Sequence, residues 1–309
     1  MAAATGEVMA AADETAPLRI AVVAVFLNEA NYLPLFLASL LAQTRAPDLV
    51  VLADDGSSDA SGEIASAFVA ANDRFEYLRL PKRPPERDRL VTAHELRAFQ
   101  RVAGRLAADF DVIAKMDADL DLSPRTIETL EQAFLSDEGL GMAGVCLSER
   151  DPDGTLERLA SHQEHVHGAT KFYRRACWNE IAPLPPILGW DTLDELSARL
   201  RGWRTLSVEV PGGDPVHLRR MGTHGSILAS FRRWGVCSYG YGAHPLQVVW
   251  YAFVLMRTRQ PRFFGGIHYL IGWSAAWARR APRADPQLRA AVQRAQLDRL
   301  RSRLGSAGG

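Results

Sequence analysis

Three polar turns, each directly after an apolar run, hold the residues best suited to chemistry. Asp117, Asp119 and Asp121 alternate at the end of VIAKMDADLDL (residues 112–122). Carboxylates this close repel one another unless something cationic sits among them. A hard divalent cation takes carboxylate oxygens and accepts waters and phosphate oxygens as its other ligands. The same run also reads as a solvated acidic turn before a helix capped by Ser123, with Pro124 at its first position, so the stretch alone supports both readings. Asp54 and Asp55 (DDGSSD) offer carboxylates that can accept hydrogen bonds from a nucleobase edge or from ribose hydroxyls. Asp55 or Ser57 would equally serve as a helix cap. Asn28 and Glu29 form the third turn. Three such turns at successive strand ends favour a ligand site, because open α/β sheets bind ligands at the carboxyl ends of their strands.

The elements that must position these turns follow from hydrophobic periodicity. Residues 18–27 (LRIAVVAVFL) form a continuous β-branched run, the pattern of a central parallel strand buried on both faces. Residues 32–43 repeat apolar side chains at helical spacing, 49–53 read as a second strand, 61–71 as a helix and 75–80 as a short third strand. Strand, helix, strand, helix is the βαβ pattern of a parallel sheet. A charged, proline-rich loop spans 81–89, and helices are expected over 92–108 and 125–135 on either side of the acidic strand 112–116. Residues 142–148 read as a strand, Asp151–Gly154 as a hairpin turn, 190–200 as a helix and 205–210 as a late strand. No internal repeat is present.

Composition narrows the function. The chain has 309 residues, 36 basic and 36 acidic, for a formal net charge of +0. That length suits one large α/β domain with an appendage, and neutrality argues against a nucleic-acid binder. Cys146, Cys177 and Cys237 are far apart and odd in number, so neither a disulfide framework nor a CxxC metal site is indicated and a reducing cytoplasm fits. Residues 1–16 are alanine-rich, lack the basic start and apolar core of a signal peptide, and read as a disordered tail. No apolar run approaches the roughly 20 residues that a membrane-spanning helix needs.

In four pieces the chain resembles the family 2 glycosyltransferases: VVAVFLNEANYL (22–33), VVLADDGSSDAS (50–61), KMDADL (115–120) and GWDTLDELSARLRGW (189–203). The resemblance runs in order from about residue 18 to 225, and it implies a GT-A fold: an α/β domain over 17–225 with a mostly parallel central sheet flanked by helices, followed by a helical region over 226–309. It also implies a nucleotide-sugar donor whose nucleoside is lined by Leu27, Asn28, Glu29 and Asp55. Asp117 would face ribose or sugar, Asp119 would ligate Mg²⁺ or Mn²⁺, and Arg101 matches a basic residue of the family's helix. A general base is implied at the start of a late helix. The family usually shows Glu-Asp there, whereas this chain has Trp190-Asp191. Counting back from Gly202 selects Asp191, with Asp194 and Glu195 as rivals one turn on, since acids at a helix start are favoured by about 0.3–1 kcal/mol without any catalytic role.

His162, His165 and His167 cluster, but no cysteine or partner motif accompanies them, and they read as lining for the acceptor side. His217 follows the late strand where GT-A enzymes often bring a third metal or phosphate ligand. Arg219 and Arg220 are placed either to neutralise a diphosphate or as a basic surface turn. Ser230-Phe231-Arg232-Arg233-Trp234 partly matches the QxxRW motif of processive synthases, with Ser230 in the glutamine place. Residues 245–280 put Trp, Tyr and Arg around two short apolar stretches, a pattern that suits peripheral contact at a membrane interface or packing on the core. Residues 284–304 read as an arginine-rich amphipathic helix. The whole predicts an inverting, metal-dependent glycosyltransferase acting on a glycan or lipid-linked acceptor in cell-surface polysaccharide or glycoconjugate synthesis, in the cytoplasm or at the inner face of the cell membrane. Its rivals are a degenerate sugar-nucleotide or glycan-binding protein, and a sugar-1-phosphate nucleotidyltransferase. The latter is disfavoured because Asn28-Glu29-Ala30-Asn31 offers no glycine after the first strand.

Overall fold

The computed structural model describes residues 16–81, 93–106, 108–150, 154–159, 163–219, 226–259 and 261–306. β1 (Ile20–Phe26) is buried along its whole length, as its unbroken apolar run requires. It lies between β2 (Leu49–Asp54) and β4 (Val112–Asp117), parallel to both. In the register of those pairs Phe26 stands opposite Asp54, and Val25 opposite Asp117. Hence all three polar turns leave the sheet at one edge. The chain moves outward from β1 in both directions, and this reversal of strand order opens a crevice at the carboxyl ends.

The full sheet adds β3 (Phe75–Arg79), β6 (Leu140–Val145), β9 (Thr170–Arg174) and β10 (Arg204–Val208), in the order β10-β6-β9-β4-β1-β2-β3. β9 runs antiparallel to both neighbours, β4 and β6. On one face α1 (Leu33–Leu41), α2 (Ser61–Val69) and α4 (Thr126–Ser136) bury residues such as Phe36, Leu40, Leu130 and Phe134. On the other, α3 (His94–Leu106), α5 (Arg175–Ile181) and α6 (Trp190–Leu200) bury Phe99, Val102, Trp178 and Ile181. Each large side chain so buried contributes about 1.5–3 kcal/mol.

A second, small sheet consists of β5 (Leu120–Asp121), β7 (Ser148–Arg150), β8 (Leu156–Arg158) and β11 (Val216–His217), in the order β5-β11-β7-β8. The C-terminal region is helical, as expected: α7 (Ile227–Gly240), α8 (Pro245–Thr258), α9 (Phe264–Ala278) and α10 (Pro286–Ser306).

The elements depart from the sequence reading in three places. The strand expected over 142–148 is two strands, β6 and β7, in different sheets. β5, β9, β11 and α5 were not foreseen: β5 and β11 are two residues each, β9 carries a lysine in its apolar run, and α5 is a short helix of seven residues. Ser123 does not cap α4: the helix begins at Thr126, whose N–H and hydroxyl both donate to the Ser123 carbonyl, while the Ser123 hydroxyl donates to the carbonyl of Gly213. Of the expected hairpin turn, 151–153 lie outside the described residues, although β7 and β8 do pair antiparallel on either side of it. The tail 1–15, Arg220 and His162 also lie outside them.

Candidate functional site

The acidic turn after β4 is held open by a lysine inside an otherwise apolar strand. Lys115 is buried and pairs with Asp117 and with Glu95 at the start of α3. It also donates to the Gly168 carbonyl at 2.8 Å. Burial alone would raise the Asp117 pKa, but Lys115 and then His217 hold it well below the usual carboxylate range. Asp119, buried and beside Asp117, is pushed upward by both effects, against the pull of His217 and Arg219. Asp121, by contrast, is exposed on β5.

The small sheet delivers His217 to this turn. β11 pairs antiparallel with β5, setting His217 opposite Leu120, and the Leu218 N–H donates to the Asp119 carbonyl at 2.8 Å. His217 Nε2 then lies 3.6 Å from Asp119 and 3.9 Å from Asp117. Its Nδ1 faces the Arg219 carbonyl, which can only accept. A proton on Nδ1 leaves the Nε2 lone pair aimed at the two carboxylates, the tautomer a metal ligand needs. Burial lowers the affinity of His217 for a second proton, and the two aspartates outweigh it, leaving its pKa above the ordinary value. One ligand atom from each of Asp117, Asp119 and His217 falls within 4.8 Å of the others, the sole such group among the described residues. Two carboxylates and an imidazole, with room left for water or phosphate oxygens, fit a divalent cation such as Mg²⁺ or Mn²⁺.

Arg219 ties this cluster to the turn after β1. It pairs with Glu29, lies 3.6 Å from Asp119, and sets its guanidinium 5.2 Å from the Tyr32 ring centre. Burial, together with Asp119 and Asp117, raises the Glu29 pKa to about 7 against the pull of Arg219. Asn28 adopts φ 56°, a left-handed conformation that asparagine tolerates. There its N–H donates to the Ser57 hydroxyl and its side-chain oxygen accepts from the Ser58 N–H, at 3.0 and 2.8 Å. Asp54 is fully buried and structural, accepting from Gly56, Ser57 and the Tyr77 hydroxyl. Asp55 is buried where its N–H donates to the Phe26 carbonyl. Leu27 is half-buried beside it. The structure thus brings Leu27, Asn28, Glu29, Asp55, Asp117, Asp119, His217 and Arg219 to one edge of the sheet. Arg101 is exposed on α3, and no described contact joins it to the cluster.

α6 begins at Gly189, whose φ of 86° favours glycine and whose added Cβ would sit 3.1 Å from Cys237 on α7. The three carboxylates of its first turns have different surroundings. Asp194 is fully buried and accepts from Lys171 at 2.8 and 2.9 Å, from the Tyr173 hydroxyl at 2.6 Å and from the Glu195 N–H. Burial raises its pKa to about 6. Glu195, 2% exposed, accepts from the Val166 N–H at 3.1 Å and pairs with His165 and Lys171. Asp191 keeps its carboxylate partly open and directed at Gly168, where a Cβ would come within 3.1 Å of its Oδ2. Gly168 is the residue whose carbonyl accepts from Lys115, so Asp191 adjoins the acidic cluster through a single glycine.

Lys115, Glu95, Lys171 and Tyr173 escaped the sequence reading. The available signal was a lysine in each of two apolar strands, VIAKMD and TKFYR, since a lysine there must be paired to be buried. His165 and His167 lie side by side, ring centres 5.2 Å apart, in the loop over α6 and outside the group able to hold a metal. Ser230 of the partial QxxRW motif is buried in α7 and accepts from Arg233 at 2.8 Å.

The model of glycosyl transferase family 2 matches residues 21–186. No curated protein matches the chain. Among solved structures, the mannosyltransferase PcManGT from Pyrobaculum calidifontis, in complex with GDP-Man and Mn²⁺, is 16% identical with a TM-score of 0.53, over 90% of this chain and 80% of that one. GalNAc-T7, with UDP, GalNAc and Mn²⁺, is 15% identical with a TM-score of 0.54, over 86% and 55%. S. aureus TarS is 15% identical with a TM-score of 0.52, over 79% of this chain, which spans only 44% of TarS. At these identities the likeness is one of fold.

Proposed function

The chain belongs to glycosyl transferase family 2 and has the GT-A fold, and on that premise we propose that it is an inverting transferase moving a sugar from a nucleoside-diphosphate donor to a hydroxyl of a glycan or lipid-linked acceptor, with Asp191 as general base. One observation carries this reading. Of the three carboxylates at the start of α6, only Asp191 keeps its carboxylate partly open, next to the acidic cluster, whereas Asp194 and Glu195 are buried in an ion-paired network.

Leu27, Asn28, Glu29 and Asp55 line the nucleoside, and Asp117 faces ribose or sugar. Asp119 and His217, with Asp117 beside them, would hold Mg²⁺ or Mn²⁺, which when bound would offset the charge gathering on the diphosphate. Arg219 exchanges its contact with Glu29 for phosphate oxygens as the donor enters, a charge-assisted pairing suited to its planar fork. The donor set expected from the resemblance also includes Arg220 and Arg101, the latter exposed on α3 and joined to the cluster by no described contact. The acceptor hydroxyl gives its proton to an Asp191 oxygen as its own oxygen attacks the anomeric carbon from the face opposite the diphosphate. The bond to the diphosphate oxygen breaks in the same step, so one displacement inverts the configuration and no glycosyl-enzyme intermediate forms. The organisation read from the sequence, a catalytic unit over 17–225 with a helical appendage over 226–309, belongs to this proposal. So does a place in cell-surface polysaccharide or glycoconjugate synthesis at the inner face of the membrane.

The test is turnover with a panel of UDP-, GDP- and dTDP-sugars and Mn²⁺ or Mg²⁺, comparing the natural chain with Asp191→Asn. The amide keeps the shape and cannot take a proton, so donor affinity is retained and turnover falls about 10²–10⁴-fold. Full turnover in the variant overturns the assignment. Donor binding with no turnover from any sugar in the natural chain favours the degenerate binding protein.

A further inference from the structure

The C-terminal helices are built with their small residues inside. A side chain at Gly235 on α7 would strike the Tyr269 backbone of α9, one at Gly272 would strike the Arg232 carbonyl, and one at Gly266 would strike Ala252 on α8. Close backbone approach at small residues is how helices associate in lipid, where burial of large side chains supplies no driving force. Phe231, Leu255 and Tyr269 are buried among these helices, but many other large apolar side chains are turned outward. On α8, Leu246, Val249, Trp250 and Phe253 follow one another along one exposed face, while Val248, Ala252 and Leu255 fill the buried face. On α9, Phe264, Ile267 and Ile271 are exposed opposite Gly265, Tyr269 and Gly272. A helix apolar all round belongs inside a protein or against lipid.

Charge identifies the partner. Ten arginines and not one aspartate or glutamate lie between Asp214 and Asp285, in a chain whose net charge is +0. Arg257, Arg259 and Arg262 are exposed at the turn from α8 to α9, and Arg279, Arg280 and Arg283 are exposed past the far end of α9. The apolar faces are therefore bounded at both ends by cations. Arg257 is already folded over the Phe253 ring, 4.2 Å from its centre. A second copy of the chain would bring two such arginine margins together with no carboxylate between them. An anionic surface with an apolar interior complements both features.

We propose that the outer faces of α8 and α9 dock this protein on an anionic phospholipid bilayer. With 14 and 15 residues, these helices are about 21–23 Å long, short of the roughly 30 Å hydrocarbon core, and no described helix is long and apolar enough to cross. They lie in the headgroup layer, with arginines at phosphate level and Trp250, Phe253, Ile267 and Ile271 below it. Cys237 of the same bundle packs on Gly189 at the start of α6, so docking sets the Asp191 carboxylate at a fixed height above the surface. This inference needs no transfer reaction to be correct, and its test uses no turnover.

The full chain is sedimented with vesicles of equal parts phosphatidylcholine and phosphatidylglycerol, and with phosphatidylcholine alone. It is expected to pellet with the anionic vesicles at low salt and to be released at high salt. Replacing Arg257, Arg259, Arg279 and Arg280 by glutamine weakens partitioning about fivefold for each residue. Trp250→Ser with Phe253→Ser, exposed positions that leave the cores intact, also weakens it while circular dichroism is unchanged. The proposal is overturned if the natural chain stays in the supernatant at low salt, or if the Trp250→Ser, Phe253→Ser variant binds as well as the natural chain. A dimer that this double variant dissociates would likewise overturn it and assign the face to a second copy.

Discussion

Lys171→Met removes the cation beneath α6 while keeping much of its volume. The Lys171 ammonium is fully buried, 2.8 and 2.9 Å from the two oxygens of Asp194, 3.4 Å from Glu195, and bonded to the Asp191 carbonyl. Without it Asp194 keeps only the Tyr173 hydroxyl and the Glu195 N–H, and Glu195 keeps Val166, His165 and Arg199. Breaking a buried pair by removing one partner costs about 3–5 kcal/mol, a large part of the roughly 5–15 kcal/mol that holds a domain folded. The pH dependence has a definite sign. Burial already raises the Asp194 pKa from 3.8 to about 6 in the folded protein. A raised carboxylate binds more protons folded than unfolded, so stability is greatest below the unfolded pKa and declines as pH rises through that window. Loss of Lys171 extends the window upward, so the variant is least destabilised near pH 4 and most destabilised above neutrality. Urea melts of both proteins at several pH values measure this. Refutation would be a loss below about 1 kcal/mol, or one independent of pH, either of which would mean that water or rearrangement replaces the ammonium.

Three further outcomes follow from the site. Asp119→Ala, at a strand end and outside the apolar core, is expected to abolish metal-dependent binding of a nucleoside diphosphate without unfolding the protein; calorimetry with Mn²⁺ decides it, and undiminished affinity removes Asp119 from the site. Gly168→Ala places a Cβ 3.1 Å from the Asp191 oxygen, so turnover is expected to fall about tenfold or more, since small misplacements of a reacting group are expensive, while donor affinity measured by calorimetry stays. Arg219→Ala is expected to weaken donor binding more than Asp191→Asn does, because charged hydrogen bonds contribute about 1.5–3 kcal/mol; equal affinities in a direct titration would take Arg219 out of the donor site.

Local pattern was enough for the framework. The apolar runs of β1 and β2, and that of β4 broken only by Lys115, read as buried parallel strands, and the polar turns that end them emerge together, so Asn28, Asp55, Asp117 and Asp119 were legible as neighbours in the sequence. Helical spacing likewise gave α1, α2, α4 and α6 within a few residues. What depended on distant pairing was not legible. His217 was expected as a ligand only through the family resemblance, because β11 is two residues long and its register with β5 is what sets His217 beside Asp119. Lys115 and Lys171 look out of place in their strands because their partners, Glu95 and Asp194, come from helices elsewhere in the chain. The choice among Asp191, Asp194 and Glu195 was open in sequence, because three acids in the first turns of a helix look alike until something decides which are buried. Tertiary structure separates the three by threading Lys171 of an antiparallel strand beneath α6, which buries Asp194 and Glu195 and leaves Asp191 partly exposed beside Gly168, the contrast on which the proposed base rests. A sequence records which groups are present; the fold determines which of them are desolvated and which are ion-paired.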